Sequence, residues 1–215
     1  RTDFEAKKHE GITFIMFDMA SEGVSTRPIK LISGKSPFTE TFLDNVRVEK
    51  NQVIGDINDG WTIAKYLLSH EREMIAGAGI LATGSLPVSE VAARALGRQN
   101  GILSEPMLRA DIARFEIDER CIALTIERAR DEVKEGVSLG AVASMFKYYG
   151  TELNKRRYEL LMSVSGQDAL QWEGGEDGLG ELPKKWLRTK GNSIEGGTSE
   201  IQLNIVAKRI LGLPG

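Results

Sequence analysis

The stretch 104–135 opens Ser104-Glu105-Pro106-Met107-Leu108-Arg109-Ala110-Asp111-Ile112-Ala113-Arg114-Phe115 and runs on through Ile122 to Glu135 without a glycine. Leu108, Ile112, Phe115 and Ile122 fall on one face of a 3.6-residue period, which predicts a long amphipathic helix. Ser104 followed by Pro106 is a helix-start signal, and Gly136 and Gly140 interrupt the pattern at the far end. A third period resumes over 141–165, carried by Met145, Tyr149, Leu153, Leu160 and Val164. Upstream, 60–99 reads as a first helix through Ile63, Leu67, Ile75 and Ile80, with Pro87 placed to kink or break it. Downstream, 166–180 is a loop dense in glycine and acid, and a last helix spans 198–211 before the stop signals Gly212 and Pro214. Three long helices and a shorter one, joined by short loops, predict a mainly α fold, an antiparallel four-helix up-down bundle.

The first 55 or so residues have a different period. The run from Gly11 to Phe17 is apolar and β-favouring, and 24–32 and 38–48 are further strand candidates. So few strands cannot close a core of their own. The bundle is therefore preceded by a short, incomplete β-strand segment, with a division at 58/59. The chain opens Arg1-Thr2-Asp3-Phe4 with no initiator methionine and enters strand-like sequence almost at once, which reads as a piece excised from a longer protein.

Composition narrows the function classes. The 215 residues are 41% hydrophobic and 27% charged, the proportions of an ordinary globular chain. A net charge of −3 gives no electrostatic reason to bind nucleic acid or an anionic membrane. No apolar run has the length of a membrane span, and no secretory signal opens the chain. Cys121 is the only cysteine, which rules out an intrachain disulfide and fits a reducing, cytoplasmic setting. It lies inside a helical pattern and reads as a core residue. With His9 and His70 the only histidines, no metal-ligand cluster is visible. Trp61, Trp172 and Trp186 read as packing residues, Lys155-Arg156-Arg157 as a solvated helix face, and Glu173, Glu176 and Asp177 as an acidic loop.

The most specific segment is Glu195-Gly196-Gly197-Thr198-Ser199-Glu200-Ile201-Gln202, followed by Asn204 through Pro214. It is a glycine turn feeding a helix N-terminus, where free N–H groups and the positive dipole end suit an anion or a developing oxyanion. The plainer reading is an N-cap by Thr198 or Ser199, with Glu200 favourable in the first turn. The segment closely resembles the closing signature of acyl-CoA dehydrogenases. Three more stretches resemble that family in the right order: Thr41 through Val48, Gly55 with Gly60-Trp61, and Leu68-Ser69-His70-Glu71-Arg72. The resemblance implies that 1–58 is the carboxyl-terminal part of the family's middle β-domain and 59–215 its carboxyl-terminal helical domain.

It also implies a chemistry. A glutamate removes the α-proton of an acyl-CoA thioester, the β-hydrogen leaves as hydride to FAD, and a backbone N–H polarises the thioester carbonyl. An α-proton beside a thioester is too weakly acidic for a carboxylate in water, so the site must stabilise the oxyanion and exclude water. Many family members carry the base directly before Gly-Thr in the last loop. That slot is Gly196 here, which keeps only its amide N–H. Other members place the base before the arginine that contacts coenzyme A. That slot is Glu71, followed by Arg72, and Glu71 is the preferred base, with Glu195 the alternative. Arg98 matches an arginine that holds the flavin pyrophosphate of a neighbouring subunit, although Gly101 stands where an aromatic residue usually follows. Thr198, Ser199 and Glu200 match flavin-contacting positions. The partners implied are an acyl-CoA substrate, an electron-transferring flavoprotein as acceptor, and further copies of the chain in a dimer or tetramer. The competing reading is a non-catalytic helical domain that supports oligomerisation or completes a flavin site. The isolated piece is expected to be inactive.

Overall fold

The computed structural model of the chain describes residues 1–80, 86–137, 139–173 and 181–214, with the backbone alone for Ser69 and for 72–80. It forms two compact units, 1–71 and 72–215.

The first unit holds small antiparallel pairs. Strand β1 (Phe14–Ile15) pairs with β4 (Val53–Ile54), and β2 (Val24–Ile29) pairs with β3 (Phe38–Leu43) from Val24 opposite Leu43 to Ile29 opposite Phe38. Both strands of the β2–β3 hairpin are exposed almost throughout, as expected of strands too few to enclose a core. Helix α1 (Gly60–Ile80) starts where Gly60 N–H donates to the Ile12 carbonyl at 2.7 Å. A Cβ at residue 60 would lie 2.5 Å from Phe14 N, so only glycine allows this approach. Next to it, the rings of Trp61 and His9 stack at 4.0 Å between centroids.

The second unit is helical. Helices α2 (Val88–Leu96), α3 (Pro106–Lys134), α4 (Val142–Ser165), α5 (Glu181–Gly191) and α6 (Ser199–Ile205) pack around one core, and a π-helical turn, Val206–Ile210, extends α6. Val88, Ala92, Ile112, Phe115, Ile122, Ala129, Phe146, Leu153 and Val164 form that core. Complete burial of Phe115 alone contributes about 1.5–3 kcal/mol. Helix α4 is central and touches α2, α3, α5 and α6. The short 135–141 connection forces two helices as long as α3 and α4 to pack antiparallel, and Arg156 on α4 meets Asp118 on α3 at 2.6 Å.

Several expectations change. The helical pattern expected over 60–99 is broken at Pro87, one of the two outcomes its position predicted: α1 is described as far as Ile80, and α2 begins directly after Pro87, whose ring nitrogen has no N–H to give a continuing helix. Gly97, at φ 75°, then ends α2, and a hairpin follows, β5 (Arg98–Gln99) with β6 (Ile102–Leu103). Helix α5 follows the acidic loop and was not expected. Its Glu181 in the first turn and Arg188 and Lys190 in the last suit the helix dipole. Within the acidic loop, Glu176 and Asp177 lie outside the described residues.

Cys121 is exposed, not core, because it sits one residue off the buried line through Phe115 and Ile122. The Lys155-Arg156-Arg157 run is not a solvated face either. Successive 100° steps send Lys155 to Glu152 and Ser193, Arg156 to Asp118, and the nearly buried Arg157 to the Leu86 carbonyl and Glu119. No helix among the described residues is long and apolar enough to cross a membrane, and none of their acidic, histidine and cysteine side chains cluster as metal ligands.

Candidate active site at the α5–α6 turn

Three polar side chains on α4 reach the connection between α5 and α6. Lys147 Nζ donates to the Asn192 carbonyl at 3.1 Å, Asn154 Nδ2 to Asn192 Oδ1 at 2.9 Å, and Lys155 Nζ to Ser193 Oγ at 2.9 Å. The connection leaves α5 through Glu195 N–H, which donates to the Gly191 carbonyl at 3.2 Å. Both carboxylate oxygens of Glu195 are occupied: Arg188 lies 2.5 Å from Oε1, and Asn192 Nδ2 donates to Oε2 at 3.1 Å.

Gly196 and Gly197 follow at φ 61° and 92°, in the left-handed region that glycine adopts without penalty. Gln202 on α6 turns back beneath them. Its Nε2 donates to the Gly196 carbonyl at 2.9 Å and lies 3.5 Å from that of Gly197. A Cβ on Gly197 would come within 2.5 Å of that nitrogen. Gln202 is 1% exposed, and its Oε1 has no hydrogen-bond partner among the described residues. Two carbonyls facing Nε2 fix the amide this way round. Ser199 N–H closes the turn onto the Ser193 carbonyl at 2.8 Å, and Thr198 caps α6 by accepting from Ile201 N–H at 3.3 Å. The Gly196 N–H forms no hydrogen bond among the described residues.

The charges on this turn are coupled. Glu200 is exposed, and its carboxyl is held below its usual range by its own backbone N–H, by the Thr198 hydroxyl and more weakly by Lys147. Lys147 is 1% exposed, and burial lowers the pKa of its ammonium. Glu152, Glu195 and Glu200 oppose that shift, and Lys155 adds to it.

The second place of interest is the β5–β6 hairpin. Asn100 and Gly101 form its turn at φ 51° and 77°. Arg98, Gly101, Arg109 and Glu116 line a pocket of about 300 Å³ with an apolar floor that includes Ile102 and Ile112. Arg109 Nη1 donates to the Leu103 carbonyl at 2.9 Å, and Glu116 accepts from Ser89 N–H at 3.0 Å.

The turn therefore gathers Glu195, Gly196, Thr198, Ser199 and Glu200, while Arg98 stands on a different element. Glu71 is exposed on α1 at the end of the first unit. Arg72 follows it in the same helix, and its side chain lies outside the described residues. Sequence reasoning missed Lys147, Gln202, Arg109 and Arg188. The one available signal was the three-residue spacing of Ser199 and Gln202, the two residues that α6 buries.

Residues 58–211 match the family model for the acyl-CoA dehydrogenase C-terminal domain. The chain belongs to the acyl-CoA dehydrogenase family. It is 34% identical over its whole length to the acyl-CoA dehydrogenase FadE34 of Mycobacterium tuberculosis, of which it spans 28%. It is 30% identical to the acyl-CoA dehydrogenase IpdE1 of Mycolicibacterium smegmatis, again over its whole length and spanning 52% of that protein. Among solved structures it is similar to the Tcur3481-Tcur3483 steroid ACAD, at 31% identity and a TM-score of 0.82, covering 100% of this chain and 55% of the other. It thus spans about half the length or less of these relatives. Acyl-CoA dehydrogenases depend in general on FAD. The residues present suit such a group: two guanidinium groups at the hairpin pocket match a diphosphate, and the Cβ-free Gly196–Gly197 turn admits close approach of a ligand to the backbone.

Proposed function

We propose that this chain is the carboxyl-terminal half of an FAD-dependent acyl-CoA dehydrogenase, which converts an acyl-CoA thioester to its trans-2-enoyl-CoA. The observation that carries this reading is the Gly196–Gly197 turn, held by Gln202 at the Gly196 carbonyl and preceded by the Lys147 bond to Asn192, while the Gly196 N–H has no acceptor among the described residues. Such a donor, fixed before the substrate arrives, stabilises the charge that develops on a thioester oxygen as the α-proton leaves.

Glu71 is the proposed base. Its carboxylate takes the α-proton, the Cα–H electron pair moves into the new Cα=Cβ bond, and the β-hydrogen departs with its own pair. A bound FAD would supply the acceptor for that hydride. Glu195 is the weaker candidate because Arg188 and Asn192 already hold both of its oxygens. Arg72 is the proposed contact to coenzyme A, and Arg98, Thr198, Ser199 and Glu200 the proposed contacts to FAD. Arg109 joins Arg98 at the same pocket. An electron-transferring flavoprotein is the proposed acceptor, and association into a dimer or tetramer is proposed through the helical domain.

A second reading has its own support. The loop slot for the base is Gly196, and one similar structure carries two protein names, Tcur3481 and Tcur3483. In that reading the chain completes a flavin site without supplying a base. Purifying the full-length protein and adding acyl-CoA substrates, including one with a steroid ring system, separates the two. Bleaching of the yellow flavin supports the dehydrogenase. A bound flavin that stays oxidised with every substrate supports the completing subunit.

A further inference from the structure

Lys147 is a charged group in a place where packing alone calls for an apolar one. It lies on α4, the central helix, among the buried Ala143, Ser144, Phe146, Gly150 and Leu153. A methionine would fill the same volume without the desolvation cost of an ammonium. The hydrogen bond that Lys147 makes goes to a backbone carbonyl, that of Asn192, at the start of the α5–α6 turn. A second buried polar side chain, Gln202, grips the carbonyl of Gly196 at the far end of that turn from α6. The two anchors come from different helices and hold the same short segment at both ends. Three carboxylates, Glu152, Glu195 and Glu200, surround the ammonium electrostatically, and two of them belong to the turn or its cap.

We propose that Lys147 and Gln202 are positioning residues that clamp the 192–200 turn between α4 and α6, so that the Gly196 N–H is fixed where a thioester oxygen is to be bound. This rests on the dehydrogenase reading. Neither residue touches the reacting atoms. Each acts through the backbone, Lys147 by fixing where the turn begins and Gln202 by fixing the peptide that follows Gly196. A hydrogen-bond donor displaced by about 1 Å loses much of its effect on a transition state while still permitting substrate to bind. The clamp therefore acts on turnover more than on affinity.

The test uses the full-length, FAD-loaded protein with Lys147→Met, which keeps the volume and removes the ammonium. Steady-state kinetics on an acyl-CoA that the wild type oxidises, FAD content, and hydrogen–deuterium exchange of the peptide spanning 190–203 are read together. The expected result is a kcat lower by about 10²–10³-fold, the scale of losing one oxyanion donor. KM should stay within about twofold and FAD content unchanged, with faster exchange confined to 190–203. A kcat within about twofold of wild type overturns the proposal. So does a loss of kcat that merely tracks loss of FAD and faster exchange throughout the helical domain, since that marks a core residue. If Lys147→Met fails to fold, Gln202→Met is judged by the same criteria. If the wild type itself reduces no flavin with any acyl-CoA, the dehydrogenase reading fails on its own. The exchange arm then decides the clamp: faster exchange at 190–203 upholds it, and unchanged exchange overturns it.

Discussion

Arg188 Nη2 lies 2.5 Å from Oε1 of Glu195, and Asn192 holds the other oxygen of the same carboxylate. A guanidinium and an amide N–H at those positions occupy the lone pairs that would take a proton. Glu195 is thereby bound into the architecture of the turn.

The base assignment follows from that pairing. In full-length, flavin-loaded protein, Glu71→Gln should slow flavin reduction by about 10²–10⁴-fold, the usual effect of removing a positioned base. Glu195→Gln should slow it by less than about tenfold, because glutamine still accepts from Arg188. Stopped-flow bleaching of the flavin measures both. The opposite ranking would move the base to the loop, and two nearly active variants would leave the non-catalytic reading in place.

Gly197 has two reasons to be glycine, its φ of 92° and the 2.5 Å approach of Gln202 Nε2 to any Cβ. Gly97 has only the first: φ is 75°, with nothing within 4 Å of a Cβ. Gly97→Ala should cost about 1–3 kcal/mol from the backbone alone, because its φ of 75° and ψ of 179° lie in a region that essentially only glycine adopts. Gly197→Ala should cost more, and adding Gln202→Ala should recover part of the excess, so that the pair is less than additive. Urea denaturation midpoints of the single and double variants test this. Equal costs at the two glycines would mean that Gln202 yields freely and does not hold the turn.

Arg98 and Arg109 line one pocket, which predicts a shared anionic ligand. Removing a charge-assisted hydrogen bond costs about 1.5–3 kcal/mol. Arg98→Ala in the full-length protein should therefore weaken FAD binding by about 10–100-fold, seen as flavin fluorescence released on dilution. Full retention would mean that the hairpin, with Gly101 in place of an aromatic residue, no longer makes this contact.

Much of this was legible in the sequence. The bounds of α3 and α4, the Thr198 cap and the glycine turn all follow from local signals: Ser104 with Pro106, a clean apolar period, and paired glycines before a Thr-Ser-Glu start. The hairpin at 98–103 was hidden because an apolar helical period runs into it, and only Gly97 and Gly101 mark the change. Lys147 was invisible for a deeper reason. A one-face period describes a helix with solvent on the other side, whereas α4 has neighbours on most sides and buries polar and apolar positions alike. A lysine in such a helix looks like a surface residue until its neighbours are known.

The last prediction concerns the charge on Lys147. Burial lowers its folded-state pKa from the ordinary 10.5, against the pull of Glu152, Glu195 and Glu200 and with the push of Lys155. Between the folded value and 10.5, the unfolded chain binds more protons than the folded one, so stability rises with pH through that window. Below the folded value both states carry the proton, and the full cost of burying the ammonium is present. Lys147→Met has no such group to titrate, so its stability lacks this rise. The difference in unfolding free energy, wild type minus Lys147→Met, should therefore move in favour of the wild type as pH is raised from about 7 to about 10. Urea denaturation of the two proteins in parallel at several pH values gives that difference directly, and shared titrations cancel. A difference that stays flat would show that burial costs the ammonium nothing. A difference that shifts toward the variant would show a folded-state amine stabilised by its carboxylates more than it is penalised by burial.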